Sequence, residues 1–303
     1  MRPASSPSRI RSAISELCRR RTQRKPPACL TRRRGPQTLR PMRAELPDVT
    51  LHYDLRGTGA HLVVLTHGLG SDLEYWTPHL DALAAHHRVL RWDLRGAGGS
   101  GKPGGPYDVA LFARDLAALH DHLGEPAAHL VGHSGGGVVS QRFALDFPER
   151  TRSLVLVSTS SEVGERAARA WSRLADMVER DGFGPAREPD VRAFGPTFAA
   201  GHPEVVRELA QRTRLGDPRA YAASARAFGS YGWTAELGRV RAPALILQGL
   251  DDALTPPGGS VILSRGIRRS RLVMVPGAGH NLPIEMPALF VTAVLAFLAG
   301  LDL

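Results

Sequence analysis

Cysteine is nearly absent from this chain of 303 residues. Its two cysteines, Cys18 and Cys29, both fall among the first 43 residues. Disulfide bonds therefore cannot hold the rest of the chain together, and a cysteine-based zinc site is excluded there. The zinc-binding pattern H-E-x-x-H is missing as well. We therefore expect a protein that uses no metal and no other cofactor.

Long apolar runs are also missing. No run of apolar residues reaches the length that a bilayer-spanning helix requires. The N-terminal region has no apolar stretch of the kind that forms the core of a secretory signal. These features predict a cytoplasmic protein without a membrane partner.

Acidic side chains are scarce at the N-terminal end. Residues 1–43 hold thirteen lysines and arginines but a single acid, Glu16, so they carry a net charge of +12, whereas residues 44–303 carry −2. This segment lacks periodic apolar residues, which predicts a disordered basic tail. Three interpretations are open: nucleic-acid or other anionic-surface binding, targeting, or a start assigned too far upstream of Met42. We favour the last, and we expect no specific nucleic-acid partner.

A G-x-S-x-G pentapeptide, Gly132-His133-Ser134-Gly135-Gly136, is the most informative motif. An apolar run over 127–131 precedes it and a run compatible with a helix follows over 138–145. A strand, a tight turn bearing serine and then a helix form the setting of a nucleophile elbow. One such pentapeptide is weak evidence in a chain with 32 glycines, so its value depends on the other groups that serine catalysis needs.

Those groups follow other apolar runs. In proteins with a nucleophile elbow, the acid and then the histidine follow the serine along the chain. Asp251 and Asp252 follow the run at 243–248, and His280 follows the run at 271–275. Because active sites of open α/β sheets lie at the carboxyl ends of strands, we expect these side chains to meet there. The turn at 67–70 follows a third run, and it predicts an oxyanion hole from the N–H groups of Leu69 and Gly135.

Strand-like runs alternate with helical stretches through the chain. This alternation predicts a mostly parallel sheet with helices on both faces, an α/β fold. Residues 160–236 keep helical periodicity but have no strong strand-like run. The body therefore divides into a core, residues 44–159 and 237–303, and a helical insertion, residues 160–236. The strands are expected at 61–66, 88–92, 127–131, 153–158, 243–248 and 271–275, with an antiparallel edge strand at 49–55.

Five segments together resemble the α/β-hydrolase superfamily, in its capped, serine-nucleophile form. They are the segments 67–70, 93–100, 132–136, 249–256 and 277–280. The resemblance implies an eight-stranded, mostly parallel sheet and a helical cap over the strand ends. It also implies that Ser134 is the nucleophile, His280 the general base and Asp252 the acid. Asp251 and Glu162 stay open as alternative acids.

Within this superfamily the chain is similar to the 3-oxoadipate enol-lactonases. The stretches 156–164, 221–224 and 234–237 carry that similarity, and Gly135 stands where that group usually has a bulkier residue. The cap then supplies the substrate pocket, for which we expect Trp171, Met177, Phe194, Phe198, Tyr221 and Trp233. Candidate partners for a substrate carboxylate are Arg166, Arg169 and Arg173.

The expected activity is hydrolysis of a small carboxylic ester or lactone through an acyl-enzyme intermediate. Serine at the elbow excludes the alkyl-enzyme esters that an aspartate nucleophile forms. Two alternatives are open: a ligand-binding receptor of the same fold, and a member with C–C hydrolase or perhydrolase chemistry and little esterase turnover.

Overall fold

The computed structural model describes residues 42–184 and 190–301. The basic tail expected at residues 1–43 lies outside the described residues, apart from Met42 and Arg43. The described strands are β1 (Met42–Glu45), β2 (Thr50–Arg56), β3 (Leu62–Thr66), β4 (Arg88–Trp92), β5 (Ala128–His133), β6 (Thr151–Val157), β7 (Ala244–Gly249) and β8 (Ser270–Val275).

These strands form one eight-stranded sheet in the order β1-β2-β4-β3-β5-β6-β7-β8. Strands β3 to β8 run parallel, whereas β2 pairs antiparallel with both β1 and β4. The expected eight-stranded, mostly parallel sheet is confirmed, and the apolar runs predicted β2 to β8 to within two residues. The edge position expected for β2 belongs instead to β1. That strand escaped prediction because only Ala44 among its four residues is buried.

Alternating side chains explain why helices cover both faces of the sheet. All five residues of β3 are buried. Leu62 and Val64 join one core, and Val63 and Leu65 join the other. Successive strand residues point to opposite faces, so a continuous apolar run needs cover on both sides.

Helices supply that cover. The described α-helices are α1 (Thr77–Ala84), α2 (Val109–Leu123), α3 (Gly135–Asp146), α4 (Glu165–Asp181), α5 (Pro196–Gly201), α6 (Pro203–Arg214), α7 (Pro218–Phe228), α8 (Gly258–Gly266), α9 (Leu282–Glu285) and α10 (Pro287–Ala299). Helices α2 and α3 bring Phe112 and Phe143 to one core. Helices α1 and α10 bring Leu80 and Phe290 to the other.

Between β6 and β7 the chain is helical. Helices α4 to α7 all lie within residues 160–236, the span predicted for the cap, and residues 185–189 inside it fall outside the described residues. Helices α4 and α7 meet through the small buried side chains of Ala175, Ala222 and Ala225, and Leu69 of the core packs against them. Across the described part of the chain, no helix combines the length and apolarity needed to cross a membrane.

Candidate active site

Ser134 occupies a strained turn between β5 and α3. Its φ of 53° and ψ of −121° are rare for a residue with a side chain. The neighbouring strand β6 holds the turn, since Ser134 N–H donates to the carbonyl of Val157 at 2.9 Å. Backbone strain of this kind concentrates at functional sites, and here it presents the serine at the carboxyl edge of the sheet.

Two glycines of the pentapeptide are required by close backbone packing. A Cβ on Gly136 would lie 2.1 Å from the carbonyl oxygen of Thr66 in β3. A Cβ on Gly132 would lie 2.3 Å from the carbonyl oxygen of Gly136. A helix backbone can approach these carbonyl oxygens so closely only where the facing residue has no Cβ, so the two glycines allow the elbow to fold.

Asp252 and His280 form a buried pair. Asp252 Oδ2 lies 2.9 Å from His280 Nδ1, and the carboxylate also accepts hydrogen bonds from the backbone N–H groups of Leu254 at 2.9 Å and Thr255 at 2.8 Å. Burial alone would raise the pKa of Asp252, but these hydrogen bonds and the charge of His280 lower it below the usual value. The carboxylate is therefore kept ionised beside the imidazole.

The two alternative acids occupy other positions. Asp251 is exposed, and its backbone N–H donates to the carbonyl of Ala278 at 2.9 Å. Glu162 is also exposed and forms an antiparallel bridge with Gly232. In the described structure the carboxylate that pairs with His280 is that of Asp252.

His133 connects the serine turn to the histidine. Its Nε2 lies 2.9 Å from the carbonyl oxygen of His280, and its ring stacks on Tyr75 with centroids 4.8 Å apart. Burial, together with the neighbouring His280, lowers the pKa of His133 to about 3. A neutral His133 ring that donates its Nε2–H to the carbonyl of His280 satisfies this geometry. In the described residues no hydrogen bond joins Ser134 Oγ to His280.

The turn at 67–70 lies against the serine. A Cβ on Gly68 would be 3.0 Å from Ser134 Cβ and 3.4 Å from Ser134 Oγ. His67 holds the turn, because Nδ1 lies 2.8 Å from the carbonyl of Gly68 while Nε2 accepts from Leu94 N–H at 3.1 Å. Within residues 42–184 and 190–301, the backbone N–H groups of Leu69 and Gly135 engage in no hydrogen bond. Both are therefore available to a ligand beside Ser134.

A cavity of about 360 Å³ opens beside Ser134, and Leu69 and Phe228 line both it and a smaller cavity of about 190 Å³. The larger cavity contains Trp171, as expected, together with Val138, Ala167, Tyr231, Leu254 and Ile262. The smaller cavity contains Tyr221, Arg212, Thr213 and Ser224.

Several residues expected in the pocket line neither cavity. Trp233 is buried in the core, where its Nε1 donates to Gln141 Oε1 at 3.1 Å. Phe198 stacks on Phe194, with centroids 5.8 Å apart. Met177 lines neither cavity, and Arg166, Arg169 and Arg173 are exposed on α4.

Phe228 lines both cavities and is one of the lining residues that sequence analysis missed. It is the last residue of α7, and its ring fills the space where a Cβ on Gly135 would lie, 2.9 Å from Cζ. The only signal in the sequence was the unusual glycine after the serine, which leaves room for a neighbouring ring. In the described part of the chain, no group of three His, Cys, Asp or Glu side chains is placed to hold a metal ion.

Comparison with known proteins places the chain in a family. The alpha/beta hydrolase fold family matches residues 61–287, and the chain belongs to it. The chain is similar to 3-oxoadipate enol-lactonase 2 of Acinetobacter baylyi, with 32% identity covering 82% of this chain and 93% of that protein. It is also similar to the candidate carbamate hydrolase RutD of Variovorax paradoxus, with 34% identity covering 82% of this chain and 96% of RutD.

Solved structures agree with this membership. The enol-lactonase from Burkholderia xenovorans LB400 superposes with a TM-score of 0.79 at 28% identity, covering 85% of this chain and all 100% of that one. A thermophilic esterase from Thermogutta terrifontis also reaches 0.79, at 29% identity, covering 87% of this chain and 99% of its own. The family and these relatives support a hydrolase that acts on a small molecule.

Proposed function

We propose that the chain is a serine hydrolase that cleaves a small carboxylic ester or lactone through an acyl-enzyme intermediate. One observation carries the proposal: His280, whose Nδ1 lies 2.9 Å from Oδ2 of the buried Asp252, also meets His133 through its carbonyl at 2.9 Å, and His133 directly precedes the positive-φ Ser134. A serine hydroxyl is a weak nucleophile without a base, and the base needs an orienting acid.

In the proposed reaction Ser134 Oγ attacks the acyl carbon while His280 Nε2 takes its proton. Asp252 holds the imidazole with Nδ1 protonated and stabilises the imidazolium that forms. The tetrahedral oxyanion accepts hydrogen bonds from the N–H groups of Leu69 and Gly135, each contributing about 2.7–4 kcal/mol to lowering the barrier. His280 then protonates the leaving alcohol and activates the water that releases the acid.

The substrate proposal rests on the relatives and the cavity. Similarity to enol-lactonases favours a lactone or small ester, and a cavity of about 360 Å³ beside Ser134 suits a small acyl group. A carbamate is the second candidate, because RutD is 34% identical and cleavage of a carbamate uses the same acyl chemistry.

The first test is hydrolysis of p-nitrophenyl esters, lactones including an enol-lactone, and a carbamate, by the wild type and by Ser134→Ala. We expect multiple turnovers by the wild type and a loss on the order of 10⁶ in kcat for the variant. Ser153→Ala is the control, since this buried hydroxyl near the start of β6 binds His129 at 2.8 Å. A wild type that turns over no substrate would instead favour a ligand-binding receptor.

The proposed acid has its own test. Asp252→Asn is expected to lower kcat by roughly 10⁴, because the amide favours the wrong imidazole tautomer. Asp251→Asn makes the same chemical change at the neighbouring, exposed position and should leave kcat within a few-fold of the wild type. If kcat falls more in Asp251→Asn or Glu162→Gln than in Asp252→Asn, that residue is the acid instead.

A further inference from the structure

Glu285 forms hydrogen bonds to two parts of the chain that meet next to His280. It is the last residue of α9, and the same oxygen, Oε2, accepts hydrogen bonds from Gly195 N–H at 2.8 Å and from Gly279 N–H at 2.9 Å. Gly279 directly precedes His280, whereas Gly195 belongs to the helical insertion. One carboxylate oxygen therefore joins the insertion to the turn that carries the histidine.

The contact around this bridge is close packing of backbone on backbone. A Cβ on Gly279 would lie 2.3 Å from the carbonyl carbon of Phe194, and one on Gly195 would lie 2.4 Å from the carbonyl oxygen of Gly277. The two segments therefore fit only because glycines face each other. Asn281 adds two donors to the same contact, since its backbone N–H and its Nδ2 both reach the carbonyl of Ala193, at 3.1 and 3.0 Å.

The Glu285 side chain is costly to keep in this position. Its Oε1 is buried and has no hydrogen-bond partner in the described structure. Burial raises the pKa of the carboxyl, although the backbone hydrogen bonds act in the opposite direction. A buried oxygen without a hydrogen-bond partner costs free energy, and the two hydrogen bonds to Oε2 offset that cost.

We propose that Glu285 is a positioning residue that couples the seating of the insertion segment at 193–195 to the placement of the His280 turn. Charge-assisted hydrogen bonds to a carboxylate are short and strong, so Oε2 fixes both N–H groups together. When the insertion segment moves away, Oε2 loses the Gly195 N–H and Asn281 loses the carbonyl of Ala193, so the turn that carries His280 is no longer fixed from the insertion side. The histidine is thus held for proton transfer only while the insertion is seated over the site, a role that rests on the proposed function.

The test compares Glu285→Ala with Glu285→Gln, which keeps one oxygen for both N–H groups. Hydrogen exchange followed by mass spectrometry on the full chain needs no substrate. We expect Glu285→Ala to speed exchange in the segments 193–199 and 277–283 together, and Glu285→Gln to restore most of the protection. Glu208→Gln is the control, because it makes the same change on an exposed face of α6 and should leave both segments as in the wild type.

Ester hydrolysis supplies the second readout. Glu285→Ala should lower kcat by about 10- to 100-fold with little change in KM, because the histidine is misplaced while the pocket is kept. Glu285→Gln should recover most of kcat. Faster exchange in only one of the two segments, a uniform rise across the sheet, or an unchanged kcat in Glu285→Ala would each overturn the coupling. A wild type without esterase activity overturns the proposed function. The exchange experiment would still show whether Glu285 couples the two segments.

Discussion

Gly135 and Phe228 depend on each other. The Phe228 ring is 4% exposed and stacks on Phe112, with centroids 5.3 Å apart and planes 14° apart. It therefore cannot move without disturbing a second buried ring. The N–H of Gly135 is one of the two proposed oxyanion donors, so the ring both limits the cavities and constrains the backbone that would stabilise the transition state.

Gly135→Ala is expected to lower kcat/KM by about 10-fold or more, because its Cβ would meet Phe228 Cζ at 2.9 Å and displace either the ring or the N–H. Phe228→Leu removes the obstructing end of the ring. The double variant should therefore regain most of the activity that Gly135→Ala loses. A double-mutant cycle on one ester measures this coupling. If the losses of the two single variants simply multiply, the contact with Phe228 is not the cause.

At the scale of elements, the site depends on how closely α3 approaches β3. Continuous apolar runs predicted the parallel strands, since a strand buried on both faces has no polar alternation. The apolar runs did not predict how closely the helix approaches the strand. It rests on Gly136, whose missing side chain leaves the Thr66 carbonyl room at the carboxyl edge of the sheet.

Gly136→Ala tests this approach. A Cβ would lie 2.1 Å from Thr66 O and 2.6 Å from His67 O, both backbone atoms that cannot rotate away. We expect the free energy of unfolding to fall by about 3 kcal/mol or more, at the upper end for overpacking. Gly164→Ala, at the N-cap of α4, has no atom within 4 Å of the new Cβ and should cost no more than about 1 kcal/mol. Urea unfolding at pH 7 measures both, and equal midpoints would contradict the packing argument.

At the scale of the whole molecule, buried histidines make stability depend on pH. Burial lowers the pKa of His79 to about 4, and both its ring nitrogens are without partners in the described structure. Burial, with the charge of Arg150, likewise lowers the pKa of His120 to about 4. The unfolded chain binds these protons near pH 6.5, whereas the folded chain does not until about pH 4. Stability is therefore lost as pH falls from 6.5 to 4, and these groups have no effect above that window.

His79→Leu should weaken this pH dependence. Leucine cannot be protonated and fits among the rings of Phe290 and Trp76, whose centroids lie 4.8 and 6.0 Å from that of His79. Between pH 7 and 4.5 the variant should lose on the order of 2 kcal/mol less stability than the wild type. Unfolding in urea at both pH values gives the difference. His86→Leu, at an exposed position, is the control, and an equal effect there would contradict the assignment to a buried imidazole.

Local patterns in the sequence were enough to predict seven of the eight strands, the serine turn and the order of the serine, acid and histidine candidates. Apolar runs and glycine-rich turns act within a few residues, so the chain expresses them without reference to distant parts. The lining of the pocket was predicted less well: Trp171 lines the larger cavity, whereas Phe198 and Trp233 pack elsewhere. Which face of an insertion helix meets the core depends on packing that periodicity alone does not specify.

The tertiary structure alone decided which side chains far apart in the chain meet. The resemblance implied Asp252 as the acid but left Asp251 open, and the structure pairs Asp252 with His280 because the turn after β7 buries one carboxylate and exposes the other. Phe228 reaches Gly135, and Glu285 reaches Gly195, across about 90 residues of chain. Contacts of this kind depend on the fit of whole elements, because close packing admits a neighbour only where shapes and polar groups match.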